Sequence, residues 1–272
     1  MRRAASGSLL RTAFWPLVRM GAAAQMAYGW SFIAWMLQPI LALFVAAAFW
    51  RAVYGDRETI SGLAGQSALT YILLANIILR FGQTELLRLF GRLNAQGQIA
   101  IELLRPADFQ LSTFAQWLGR TSVSAASQLP LLVPVAFALG MRPSSSLPAW
   151  MMAIIVFGLG LINVFLVDWI VACLAFYTTY VWGISVLYSS VLAFFSGALV
   201  PYAFMPGWLQ QAGAMIPIAQ LAAAPAGLLS GHWPPSQAWP VIGFEILTIL
   251  VLFPASRIIF NFSIRSAQLL GG

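Results

Sequence analysis

Between Arg19 and Arg51 the chain carries no charged side chain, and between Ala149 and Pro201 it carries one, Asp168. Nothing else in the sequence restricts the fold so severely. As one helix the second stretch would be ~80 Å long at the α-helical rise. A bilayer's hydrocarbon core is only ~30 Å thick and about 20 apolar residues cross it. The stretch therefore divides into two spans, with a turn expected near Thr178–Thr179–Tyr180. Charged residues make up 8% of the chain and hydrophobic ones 61%. A soluble globule needs about three times that charge to cover its surface. Lipid is thus the main solvent, and disorder, coiled coil and nucleic-acid binding are excluded.

Further spans are expected at about Tyr28–Trp50, Leu63–Leu79, Thr121–Met141 and Trp239–Ala255. The first apolar run is too long and too aromatic for a cleavable signal peptide. Six spans put both termini on one side. Basic residues collect in cytoplasmic segments. With the N-terminus inside, Arg2, Arg3, Arg11, Arg19, Arg80, Arg88, Arg92, Arg105, Arg120, Arg257 and Arg265 lie inside. Only Arg51, Arg57 and Arg142 lie outside. The expectation is one domain over 1–272, multi-pass in the cytoplasmic (inner) membrane, with both termini cytoplasmic. Most of these arginines need no role beyond meeting lipid phosphates.

All 14 basic residues are arginine. A P-loop needs a lysine to reach the β- and γ-phosphates, and Schiff-base chemistry needs one as well. The chain is therefore not itself an ATPase. The lone Cys173 and lone His232 make neither a disulfide nor a paired metal site, and no catalytic, cofactor-binding or metal constellation is visible.

Two segments are not simple spans. In the loop 80–110, Leu86, Leu87, Phe90 and Leu93 share one helical side, with Glu85, Arg88 and Arg92 on the other. Gly97 breaks the pattern. A second short helix follows, ending at about Leu104 because the residue before Pro106 is pushed out of the α region. Asp108 is a natural N-cap for the next helix. Glu102, Arg105 and Asp108 should form one compact charged cluster, either a solvated hairpin or a docking surface. The external segment 202–236 has no acidic or arginine side chain but many prolines. Its pieces Trp208–Ile216 and Ile218–Ala224 are too short to cross. They should lie at the outer leaflet as short re-entrant helices, with Tyr202, Trp208 and Trp233 in the aromatic belt. That segment is either a cover or part of an exit gate.

Asp168 and Glu245 stand in apolar runs, where a carboxylate is costly. Asp168 falls near the inner interface, in a structural, coupling or pathway role. Glu245 falls about 9 Å from the outer end of the last span by helical rise, within reach of water. Asn76 and Asn163 suit interhelical hydrogen bonds.

The run GQIAIELLRPADFQ (Gly97–Gln110) resembles the cytoplasmic coupling region of type-two ABC exporter permeases. Leu174–Gly231 is similar to the fifth span and external helices of that family. The landmarks are Phe195-Ser196-Gly197, Pro201, Met205-Pro206-Gly207-Trp208-Leu209, Ile216-Pro217, Pro225 and Gly231, with Met205 where phenylalanine is commoner. The resemblance implies an all-α integral membrane protein of six transmembrane helices, with an interfacial elbow helix at about Leu9–Gln25 (within 1–27). It implies pairing with a second permease chain as a homodimer or heterodimer. It also implies a separate nucleotide-binding subunit that holds ATP and Mg and docks on Gln98, Glu102, Arg105, Pro106 and Asp108. Implied substrates are amphiphiles. Candidate pathway or gate residues are Asn163, Asp168, Phe195, Pro201, Pro217 and Glu245. The rival readings are an ion-coupled secondary transporter using Asp168 or Glu245, and a membrane assembly factor without transport.

Overall fold

A computed structural model describes residues 2–26, 31–60, 62–105, 107–178 and 180–270, with side chains over 14–26, 37–60, 62–105, 107–178, 180–201 and 203–265. The backbone is almost wholly helical. Helix α1 (Arg2–Met26) is followed by α2 (Ser31–Tyr54). Two-residue strands, Thr59–Ile60 and Leu63–Ala64, pair antiparallel before α3 (Gly65–Gly82). Then come α4 (Leu86–Ala95), α5 (Ile99–Leu104), α6 (Phe109–Ala138) and α7 (Leu147–Ala172), the last extended by a 3₁₀ turn over Cys173–Phe176. The chain closes with α8 (Val181–Phe195), α9 (Gly207–Ala214), α10 (Pro217–Leu229) and α11 (Ala238–Leu270).

The expected interruptions fall where local chemistry puts them. Gly97 takes φ 65°, a conformation that costs glycine little, and separates α4 from α5. Asp108 caps α6, its side chain accepting from Leu111 N at 2.9 Å. Nothing breaks the helix after that cap, so α6 starts twelve residues before the expected Thr121. Pro130 and Pro134 sit inside α6 and Pro254 inside α11, tolerated because neighbouring helices can satisfy freed carbonyls. The turn after α7 falls at the expected place, although Thr179 itself lies outside the described residues, as do Tyr28 and the side chain of Tyr202.

Among the described residues, four helices are long and apolar enough to cross a membrane: Leu37–Tyr54, Phe109–Ala138, Leu147–Phe176 and Pro235–Arg265. The pair α9–α10, bent by 107°, would make a fifth if it were one span. Helix α3 has 18 residues and carries Gln66, Thr70, Asn76 and Arg80. Helix α8 has 15 residues. These two expected spans fall outside the set of four.

The external segment departs most from expectation. Every residue from Ile218 to Leu229 is buried, so α10 is an interior helix and not a surface cover. Its Leu221 lies against Gly82 in the last turn of α3 and against Gly160 in the middle of α7. Its Leu229 carbonyl accepts from Ser144 N at 2.7 Å, in the loop between α6 and α7. The helix therefore runs from deep in the bundle to its far end. Gly160 permits this: a Cβ there would stand 3.0 Å from the Leu221 Cα. Small residues bring membrane helices into backbone contact in just this way. Trp233 is half-buried and covers Gly227, whereas Trp208 is exposed.

An aromatic cluster closes the opposite end of the bundle, which carries α4 and α5. There Phe90 meets Phe109, Trp169, Phe176 and Phe260 at ring-centroid distances of 5.8, 4.9, 5.6 and 5.8 Å. Helix α1 lies along the neighbouring part of α6, so close that a Cβ on Gly119 would stand 1.9 Å from the Val18 carbonyl oxygen.

Candidate functional site

The α4–α5 hairpin has two unlike faces. The stripe read from sequence, Leu86, Leu87, Phe90 and Leu93, is the buried side of α4. Its Leu86, Leu87 and Phe90 pack with residues of α7, its 3₁₀ extension and α11, and Asn94 Nδ2 adds a bond to the Ala175 carbonyl at 3.1 Å. Helix α5 has no buried residue. It presents Ile101, Leu103 and Leu104, the last 84% exposed. Beside them Arg105 Nη1 pairs with Glu102 at 2.8 Å. Gln98 stands exposed at the start of α5, its carbonyl accepting from the Ile101 and Glu102 amides, each at 3.1 Å. Pro106 lies outside the described residues.

Asp108 is not part of that cluster. Its carboxylate caps α6 with one oxygen and accepts from Arg257 of α11 with the other. The cap geometry turns the side chain back over the helix start, where Arg257 is the near cation. Gln110 Nε2 donates to Ser256 Oγ at 2.9 Å close by. The hairpin is thus stapled to α11 where it re-enters the bundle. A cavity of about 240 Å³ lies at that seam, lined by Leu103, Asp108, Gln110, Arg257 and Phe260.

The pathway candidates do not converge on one site. Asn163 and Glu245 meet: Asn163 Nδ2 donates to the Glu245 carbonyl at 3.1 Å, and Thr248 Oγ1 donates to Asn163 Oδ1 at 2.9 Å. The interhelical role expected for asparagine is what the geometry shows, and Asn76 likewise reaches the Ala198 carbonyl at 3.0 Å. Glu245 is not open to water. It is wholly buried, and neither carboxyl oxygen has a hydrogen-bond partner among the described residues. Its Oε1 faces Gly160, where a Cβ would stand 3.3 Å away. Helical rise measured depth along α11 but not the covering by α7. Phe195 packs its ring edge on Phe194. Pro201 is buried after α8, and Pro217 opens α10.

Asp168 is buried near the α4 end of α7 and accepts from two hydroxyls, Thr84 Oγ1 and Tyr188 Oη. Neither partner was singled out by sequence. The available signal was a threonine in the gap between two helices and a tyrosine inside the apolar α8. A further polar chain has no local sequence signal: Arg80 Nη1 donates to Gln38 Oε1 at 2.9 Å and its Nε to Gln128 Oε1 at 3.4 Å, and Gln128 Nε2 donates to Ser124 Oγ at 2.6 Å. Among the described residues, no three His, Cys, Asp or Glu side chains gather as a metal site.

A bundle of membrane-length helices, a buried helix α10 bent against α9, and a stapled hairpin with one exposed apolar face fit a membrane permease. Residues 40–271 match the family model described as ABC-2 family transporter protein, and the chain belongs to that family. It is a transmembrane component of such a transporter, in a family whose permeases normally work with an ATP-binding subunit. No curated protein matches the sequence.

Proposed function

We propose that this chain is the permease subunit of an ATP-driven exporter in the cytoplasmic membrane. A separate nucleotide-binding subunit would hold ATP and Mg and dock on α5. The observation that carries the reading is the division of labour within the hairpin. Helix α4 spends its apolar stripe on the bundle, while α5 leaves Ile101, Leu103 and Leu104 uncovered around the Glu102–Arg105 pair. An apolar face rimmed by charge is the usual composition of a protein-binding patch. In this reading α3 and α8 are short additional crossings, giving six, with both termini cytoplasmic beside the hairpin. A second permease chain completes the pathway. The substrate class suggested by the family resemblance is an amphiphile.

Charge reversal tests the docking. Glu102→Arg and Arg105→Glu each break the pair, whereas the double exchange restores it with opposite order. With the ATP-binding subunit that co-purifies from native membranes, all three variants should lose co-purification and ATP-dependent transport, at normal amounts of inserted protein. Retention of both by the double exchange and by the single variants would refute the assignment. Transport that survives ATP depletion but collapses with the proton gradient would instead favour an ion-coupled transporter.

A further inference from the structure

Residues 83–85 form the joint between α3 and α4, and that joint is held from two directions. The Gln83 carbonyl accepts from Trp117 Nε1 of α6 at 3.2 Å. Thr84 Oγ1 accepts from Leu86 N at 3.3 Å and donates to the buried Asp168 of α7. Glu85 between them takes φ 55°, a left-handed conformation unusual for a side chain of its size. The joint is therefore a fixed corner, set by side chains from two other helices.

Asp168 uses its second oxygen elsewhere. Oδ1 accepts from Tyr188 Oη, halfway along α8. That bond adds a polar tie to a helix whose other contacts include the partly buried Val181, Ile184, Tyr188 and Ala193. Leu192 is its only buried residue, and Trp182, Val186, Leu187 and Val191 are exposed. Its first residue, Val181, lies on Gly91 of α4, where a Cβ would stand 3.0 Å from Val181 Cγ1. At one end α8 thus touches the hairpin directly, and at its middle it reaches the hairpin joint through one carboxyl group. Its other end leads through Ser196 and Gly197 to the segment that forms α9 and α10.

We propose that Asp168 is a positioning residue that joins the α3–α4 corner to α8, so that displacement of the hairpin is passed to the helix leading into the re-entrant pair. This deepens the reading of α5 as the docking site and rests on it for the source of the movement. A carboxyl group suits the task because its two oxygens can each serve a different helix. The carboxyl group itself is buried, and there an abandoned acceptor costs more than the bond it lost. Coupling through such a junction is a measurable free energy and not merely proximity.

Hydrogen–deuterium exchange on the full chain in lipid nanodiscs tests it, with no partner subunit present. Thr84→Val removes one hydroxyl and Tyr188→Phe the other, each with little change of shape. Thr84→Val should speed exchange at least about tenfold in peptides covering 181–195, the change expected when about 1.4 kcal/mol is lost. Tyr188→Phe should do the same to peptides covering 84–95. Thr84→Ser, which keeps the hydroxyl, should restore wild-type rates in α8. Faster exchange confined to the mutated element overturns the proposal, as does a Thr84→Ser variant that behaves like Thr84→Val. Because no ATPase is present, this outcome is independent of the charge-reversal test of docking.

Discussion

Replacing Phe90 with alanine should release α4 from the bundle while leaving the exposed face of α5 chemically unchanged. Phe90 is fully buried and touches four rings drawn from α6, α7, its 3₁₀ extension and α11. Truncating a buried phenylalanine costs about 3–5 kcal/mol, part of it from ring pairs worth about 0.5–1.5 kcal/mol each. At about 1.4 kcal/mol per tenfold, that loss raises the open population of the hairpin by roughly 10²- to 10⁴-fold. The assay is amide exchange over Leu86–Ala95, read beside thermal unfolding of the purified chain. Leu104→Ala is the matched control, because Leu104 is 84% exposed and a surface truncation shifts stability by about 0.5 kcal/mol at most. Phe90→Ala should lose protection in α4 and, with it, coupling to the ATP-binding subunit. Leu104→Ala should keep protection and weaken subunit binding alone. Equal protection of α4 in the two variants would show that the ring cluster does not anchor the hairpin.

Two other substitutions probe the packing. Gly119→Ala places a methyl group 1.9 Å from the Val18 carbonyl oxygen; α1 must then move, with an expected loss of about 1–3 kcal/mol. Gly158→Ala meets nothing within 4 Å and should gain up to about 1 kcal/mol from helix propensity; similar midpoints for the two in a thermal scan would refute the close α1–α6 crossing. Glu245→Met replaces a buried carboxyl that has no partner among the described residues by an apolar chain of similar length. It should stabilise the protein by about 1–3 kcal/mol, and a lower unfolding midpoint would mean that those oxygens have a partner in the membrane.

The amphipathic stripe of α4, the break at Gly97, the end of α5 and the cap at Asp108 were all legible as sequence. Each depends on residues within a few positions of one another, and helical periodicity or backbone chemistry reads them directly. The buried carboxyls were legible as oddities but not as sites. The partners of Asp168 lie 84 and 20 positions away, Arg257 lies 149 from Asp108, and one sequence does not encode such meetings in any local pattern.

The sequence by itself determined that lipid is the main solvent, that these 272 residues hold no lysine for a P-loop, and that α4 would turn a greasy side to the bundle. Tertiary structure decided that α10 lies inside the bundle, that Glu245 is sealed under α7, and that Asp168 faces two hydroxyls. The physical reason is that a strongly apolar composition specifies burial in something apolar, whether lipid or protein. Only close packing around Gly82, Gly160 and Gly119, where backbones or side chains nearly touch, chooses which helix takes that place.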